Sequence, residues 1–238
     1  MPALNIEHHQ TTHLTARLLA SLMLLQMVLG LLLNFFFLKP ILSFDGTTSS
    51  EELTFILGVA TLVALLISSL NLGFGLLLPK NKVNQCYRLF ILLIVFASVG
   101  ISLCVYEYAR LAEYVSFLSN THAVDFDSNN VTLEYMKKTI ATGRNEAHFF
   151  SIFISSCSLL CFYFLLLRSS LISKVLSSVA CMSVILQLIA VGHTFFELSI
   201  PNLLQLPLAI TQIIVPIYLF VKGFKNDEAT NERKLPAN

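Results

Sequence analysis

Six stretches without a single Asp, Glu, Lys or Arg alternate with charged segments along the chain, at 18–38, 53–78, 89–106, 149–167, 175–196 and 198–221. As an α-helix rising about 1.5 Å per residue, each spans most or all of a hydrocarbon core roughly 30 Å thick. Backbone amides have no water to bond inside lipid, so apolar runs of this length are helical, whereas barrel strands would alternate over about ten residues. No such alternation is visible. The pattern therefore predicts an all-α membrane protein, a six-transmembrane-helix bundle with helices at 14–38, 53–78, 87–108, 146–168, 174–197 and 200–222. Polar tails are expected at 1–13 and 223–238. The first stretch is expected to be retained, because Phe35-Phe36-Phe37-Leu38-Lys39-Pro40 contains no small-residue cleavage site.

Composition agrees: 55% of residues are hydrophobic, 12% are charged and the mean hydropathy is +0.75, which excludes an aqueous globule and a disordered chain. The formal net charge is only +1, so a nucleic-acid partner is excluded and the lipid bilayer is the expected one. Lys and Arg divide ten to five between the two sides of the predicted bundle. Arg17, Lys80, Lys82, Arg88, Arg168, Lys174, Lys222, Lys225, Arg233 and Lys234 face Lys39, Arg110, Lys137, Lys138 and Arg144. The richer side is cytoplasmic by the positive-inside rule, which places both termini there. Tyr87, Tyr106, Tyr108, Tyr163 and Tyr218 fall near helix ends, where amphipathic rings favour the headgroup region.

The loops between the predicted helices are short except for residues 107–148. Ser49-Ser50-Glu51-Glu52 has the form of a capping box and marks the start of the second helix. In the long loop, Leu133, Met136 and Ile140 recur at helical spacing opposite Glu134, Lys137 and Lys138, which predicts a short amphipathic helix over 132–142, lying across the outer mouth of the bundle. Asp125-Phe126-Asp127-Ser128-Asn129-Asn130 begins like a calcium loop, then fails it: the sixth position is Asn130 and the twelfth Met136, so an Asx-rich turn is expected. The five cysteines have neither zinc spacing nor a helix geometry that allows pairing, and they read as small apolar fillers.

Polar groups in or beside the apolar stretches are costly and mark where function would sit. Glu107, Arg110, Arg144, Glu146, His148, His193 and Glu197 map to one level at the outer helix ends. Glu107 and Arg110 are three apart, His193 and Glu197 four apart, and so each pair shares a helix face. A small polar ligand or an ion suits such a layer; His148, His193 and Glu197 are the residue types that would hold a metal. The competing reading is ordinary interface chemistry, with charges reaching water and pairing locally. Asn71, Gln187 and Gln212, with Gln26 and Asn34, lie deeper, where amides most often join helices by hydrogen bonds. Ser151, Ser155 and Ser158, and likewise Ser177 and Cys181, form small-residue faces that let helices approach closely. Pro201, Pro207 and Pro216 make the last helix the kinked element.

Tyr87-Arg88-Leu89, Arg144-Asn145, the run from Phe162 to Ser169 and the segment from Leu206-Pro207 through Phe224 resemble a bacterial membrane family, domain of unknown function 4386. The resemblance covers about Thr15 to Phe224 and singles out Arg88, Arg144 and Asn145. It implies six helices in a bacterial inner membrane and no established activity. Where members tend to carry a Glu one turn after the third-helix Arg this chain has Ile91; it has Gln212 for a Glu in the sixth helix and Ser173 for a Pro.

No nucleophile–base pair, phosphate loop, HExxH-like arrangement or cofactor motif is present. Three classes stay open: a transporter or receptor for a small polar ligand or ion using the outer layer, a non-catalytic scaffold, and an enzyme whose groups converge only in three dimensions.

Overall fold

The computed structural model describes residues 2–44, 49–123 and 131–225, and among them the chain is helical throughout, with no strand. We label the principal helices α1 (Pro2–Leu32), α2 (Ser50–Leu76), α3 (Tyr87–Ala123), α4 (Val131–Arg168), α5 (Lys174–Gly192) and α6 (Leu206–Lys222). A π-helical stretch Leu33–Leu38 and a further turn Lys39–Leu42 prolong α1, and a short helix Lys80–Gln85 links α2 to α3. Five helices are long and apolar enough to cross a membrane: His13–Leu42, Ser50–Leu76, Tyr87–Thr121, Val131–Arg168 and Lys174–Phe196. The apolar α6 has 17 residues and is shorter.

Helices adjacent in sequence pack side by side, and α6 returns to pack on α1, so the six form a closed ring. Where the middle of α1 meets the end of α6, Arg17 lies over the Phe220 ring, centroid distance 5.9 Å. Gly223 ends α6 at φ 68, a conformation that disfavours any side chain, and a Cβ there would also meet the His13 ring. We call this the near end of the bundle and the opposite one the far end.

Burial is lopsided in the way a lipid-facing bundle requires. Only 22–39% of the residues in the most apolar stretch of each candidate span are buried, yet the outward positions are apolar too: Phe55, Leu62, Val175 and Val221 are all more than two-thirds exposed. Two cores lie inside the ring. The near core joins Leu19, Phe74, Leu93, Phe162, Tyr163 and Leu219 across α1, α2, α3, α4 and α6. The far core joins Leu38, Ile41, Leu53, Cys104, Tyr108 and Leu111, from the end of α1, the start of α2 and the middle of α3.

Close contacts are made by small residues where the sequence leads one to expect them. Ser151, Ser158, Ser177 and Cys181 are buried, and a Cβ on Gly100 would stand 3.2 Å from the Ser155 hydroxyl across the α3–α4 interface. The Gln26 amide of α1 donates to the Asn71 side chain (2.9 Å) and to the Ile67 carbonyl (3.1 Å) of α2, so this deep pair joins two helices. Ser49 caps α2, its hydroxyl accepting from the Glu52 amide at 3.2 Å. The cysteines Cys86, Cys104, Cys157, Cys161 and Cys181 are free thiols.

Four expectations are corrected. The helix over 132–142 is not a separate lid: those residues are the first turns of α4, continuous with the apolar part, and Met136 is half exposed. α3 and α4 stay paired beyond Glu107, where the Arg110 guanidinium lies against Gly143 and Val115 and Leu118 of α3 are buried. α1 has helical backbone from Pro2, ahead of the expected boundary at 14. Tyr108 and Tyr163 are buried in the cores rather than placed in headgroup belts, and the Tyr163 hydroxyl has no partner among the described residues. His193 and Glu197 do not share a helix face, because α5 stops at Gly192, a 3-10 turn follows over His193–Phe196, and Glu197 is left-handed at φ 57. The Asp125–Asn130 turn and the tail beyond 225 lie outside the described residues.

Candidate functional site: a charged layer between α3 and α4

α3 and α4 run antiparallel in a register that can be read from two contacts. Gly100 faces Ser155, and Glu107 faces His148 seven residues further along α3 and seven earlier along α4. The apolar part of both helices ends at the second contact. From Leu89 to Tyr106 and from Phe149 to Leu167 there is no Asp, Glu, Lys, Arg or His, so Glu107 and His148 are the acidic and basic side chains that bound this end of the apolar part of each helix.

The His148 Nδ1 lies 2.6 Å from Glu107 Oε1, and since a carboxylate oxygen accepts, the imidazole donates from Nδ1. The Glu107 side chain is 9% exposed, so burial leaves it few partners besides this imidazole. Arg144, one helical turn from His148, is also buried, and it lies within electrostatic reach of Glu107, Tyr108 and Tyr114 of α3. Its guanidinium donates to the neighbouring Asn145 side chain at 3.1 Å, its Nε has no partner, and no carboxylate makes an ion pair with it among the described residues. A buried guanidinium without a carboxylate is costly, because taking its charge out of water is repaid only by good partners. Arg110 completes the layer: it pairs with Glu113 (2.5 Å), and its guanidinium lies where a Cβ on Gly143 would sit. Arg110 therefore pairs with the Glu three residues after it rather than with Glu107, three before. Both spacings are equally good in the sequence, and the cross-helix hydrogen bond to His148 decides between them.

Glu107, Arg110, Arg144 and His148 thus come together, and the other candidates do not join them. Glu146 is exposed. His193 donates from Nδ1 to the Ile189 carbonyl of its own helix at 2.8 Å, and Glu197 is exposed at the end of the 3-10 turn. That turn is held to α4 by rings instead: Phe195 lies 5.1 Å from Phe150 and 5.5 Å from Phe153 between centroids. No group of three or more His, Cys, Asp or Glu that could hold a metal ion exists among the described residues, so His148, His193 and Glu197 do not converge. Arg88 is exposed at the start of α3, 19 residues before Glu107, and does not join the layer. Asn71 is occupied by Gln26, while Gln187 and Gln212 line a groove between α5 and α6.

The sequence reading missed Glu113, Tyr108 and Tyr114 around the arginines, and it missed Gln205, which shares the groove with Gln212. A signal for Gln205 exists: it is two helical turns from Gln212, on the same face.

No protein-family model matches the chain, and no curated protein or solved structure matches it.

Proposed function

We propose that this chain is a six-crossing integral membrane protein that binds a small anionic solute at the charged layer between α3 and α4, as a transporter or receptor. The observation that carries the reading is Arg144, buried beside the Glu107–His148 hydrogen bond with its Nε unpartnered among the described residues. A carboxylate or phosphate oxygen is the natural complement of a guanidinium edge. Depth supports access from water. Counted from the near ends at Tyr87 and Arg168, Glu107 and His148 each lie 20 residues in, which is about 30 Å of helix and about one hydrocarbon thickness. The layer thus stands at the far boundary of a crossing, and the remaining turns of α3 and α4 project beyond it.

In this reading α6 supplies the sixth crossing, since 17 residues is at the short end of what spans a bilayer. The ten-to-five division of Lys and Arg puts the near end, and both termini, in the cytoplasm. Asn145, paired with Arg144 in the resemblance to the 4386 family, accepts from it here, and the bacterial inner membrane is the setting that resemblance supplies. A scaffold is the second reading, favoured by the projecting α3–α4 hairpin with its exposed Val131, Tyr135 and Met136.

Thermal unfolding of the detergent-solubilised protein with a panel of small carboxylates and inorganic phosphate tests the proposal. At least one anion is expected to raise the midpoint for the native chain and to lose that effect in Arg144→Gln. If no anion shifts the native midpoint, or if Arg144→Gln responds equally, the solute-binding reading fails and the scaffold reading stands.

A further inference from the structure

A second polar feature lies away from the charged layer. Between α5 and α6 the surface forms a groove of about 410 Å³ lined by Gln187, Gln205, Leu206, Leu208, Ala209 and Gln212, a size at the lower end of small-molecule pockets. It is open rather than enclosed, and Leu206 in its wall is 54% exposed. Gln187 is 13 residues from Lys174 and Gln212 is ten from Lys222, which sets them about 20 Å and about 15 Å from the near end. Both therefore lie at hydrocarbon depth if the helices cross a bilayer.

Three carboxamides in one groove carry six N–H donors and three acceptors. Among the described residues none of the three makes a hydrogen bond to the rest of the chain, unlike Gln26, which is spent on Asn71 and Ile67. Pro216 adds to the polarity: it has no amide hydrogen, so the Gln212 carbonyl four residues earlier lacks its regular α-helical donor at the same level. Unsatisfied amide groups are expensive in hydrocarbon, and nothing ionisable lines the groove. A charged ligand would find no countercharge there, while an uncharged molecule with hydroxyl and carbonyl groups would meet both donors and acceptors. Leu206, Leu208 and Ala209 offer an apolar wall for its hydrocarbon.

We propose that the α5–α6 groove is a binding site for an uncharged lipophile bearing hydroxyl and carbonyl groups, entering sideways from the bilayer. A second copy of the chain is a poorer occupant. Tight helix pairing in membranes uses small residues at the contact, and the exposed face of α6 presents Ile210, Ile213, Ile214 and Ile217.

The full chain in liposomes would be irradiated with a diacylglycerol carrying a diazirine in one acyl chain, and in parallel with a phosphatidylglycerol carrying the same acyl group. Labelled peptides would be mapped by mass spectrometry. The diacylglycerol is expected to label α5 and α6 around the groove in preference to the anionic lipid. Gln187→Leu and Gln212→Leu are each expected to lower that labelling about three-fold. Excess unlabelled diacylglycerol should compete it away from the native chain, a readout that requires no substitution to fold. Equal labelling by both lipids, labelling that neither substitution nor competition reduces, or a crosslink from α6 to α6 of a second copy would each overturn the proposal. None of these outcomes bears on Arg144, so this site and the charged layer stand or fall separately.

Discussion

His148 of α4 and Glu107 of α3 meet at 2.6 Å where the apolar faces of their two helices end. The pair joins the long helices at the one level where both become polar. Removing the imidazole strands a carboxylate that is almost fully buried, whereas removing both groups leaves an apolar contact. His148→Leu is therefore expected to cost about 1.5–3 kcal/mol. The double variant Glu107→Leu with His148→Leu should recover most of that loss. Unfolding in mixed micelles, read as a double-mutant cycle, checks this; equal losses in the single and double variants would show that the hydrogen bond contributes little.

The α3–α4 register also rests on Gly100. A methyl there would stand 3.2 Å from the Ser155 hydroxyl, closer than ordinary contact, so Gly100→Ala is expected to destabilise modestly and Gly100→Leu by about 1–3 kcal/mol. Ser155→Gly should rescue Gly100→Ala in the same unfolding assay. Absence of rescue would place the cost elsewhere than in this crossing.

The helices are legible in the sequence because the cost of exposing backbone amides to lipid depends only on apolar length, which a charge-free window displays directly. The cap at Ser49 is legible for a similar reason, since hydroxyl and carboxylate stand at fixed offsets. The extent of α3 and α4 is not. Glu113, Lys137 and Lys138 interrupt the apolar pattern, yet both helices run through them, a continuation that a charge-free window does not display. His193 and Glu197 mislead because four residues make a shared face only while the helix continues, and here it ends at Gly192. Arg110 and Glu107 mislead because the partner that wins, His148, is 41 residues from Glu107.

Gln26 bridges α1 and α2 through Asn71 and the Ile67 carbonyl. Replacing Gln26 by Leu is expected to cost about 0.6–2 kcal/mol, the range of amide hydrogen bonds between membrane helices. Asn71→Leu added to Gln26→Leu should cost less than the sum of the two single losses. Strict additivity would mean that the two side chains do not interact.

Ser49 accepts one of the orphan amides at the start of α2. Ser49→Ala should lower stability by about 1 kcal/mol, and Ser49→Asp should be tolerated, since a carboxylate caps as well and favours the positive end of the helix. A neutral Ser49→Ala in thermal unfolding would show that water replaces the cap at this exposed position.

If Glu107 and His148 stand at the far boundary of the hydrocarbon, water must reach α4 on one side of His148 and not on the other. Single cysteines placed at 138, 142, 146, 153, 157 and 160 in a background without the native thiols, then treated in intact membranes with an impermeant maleimide, measure this directly. Labelling is predicted at 138, 142 and 146 and its loss at 153, 157 and 160, so that the boundary falls within about two turns of His148. Labelling that continues through 160, or that is already absent at 138, would contradict a charged layer at the water boundary and with it the access of any solute to Arg144.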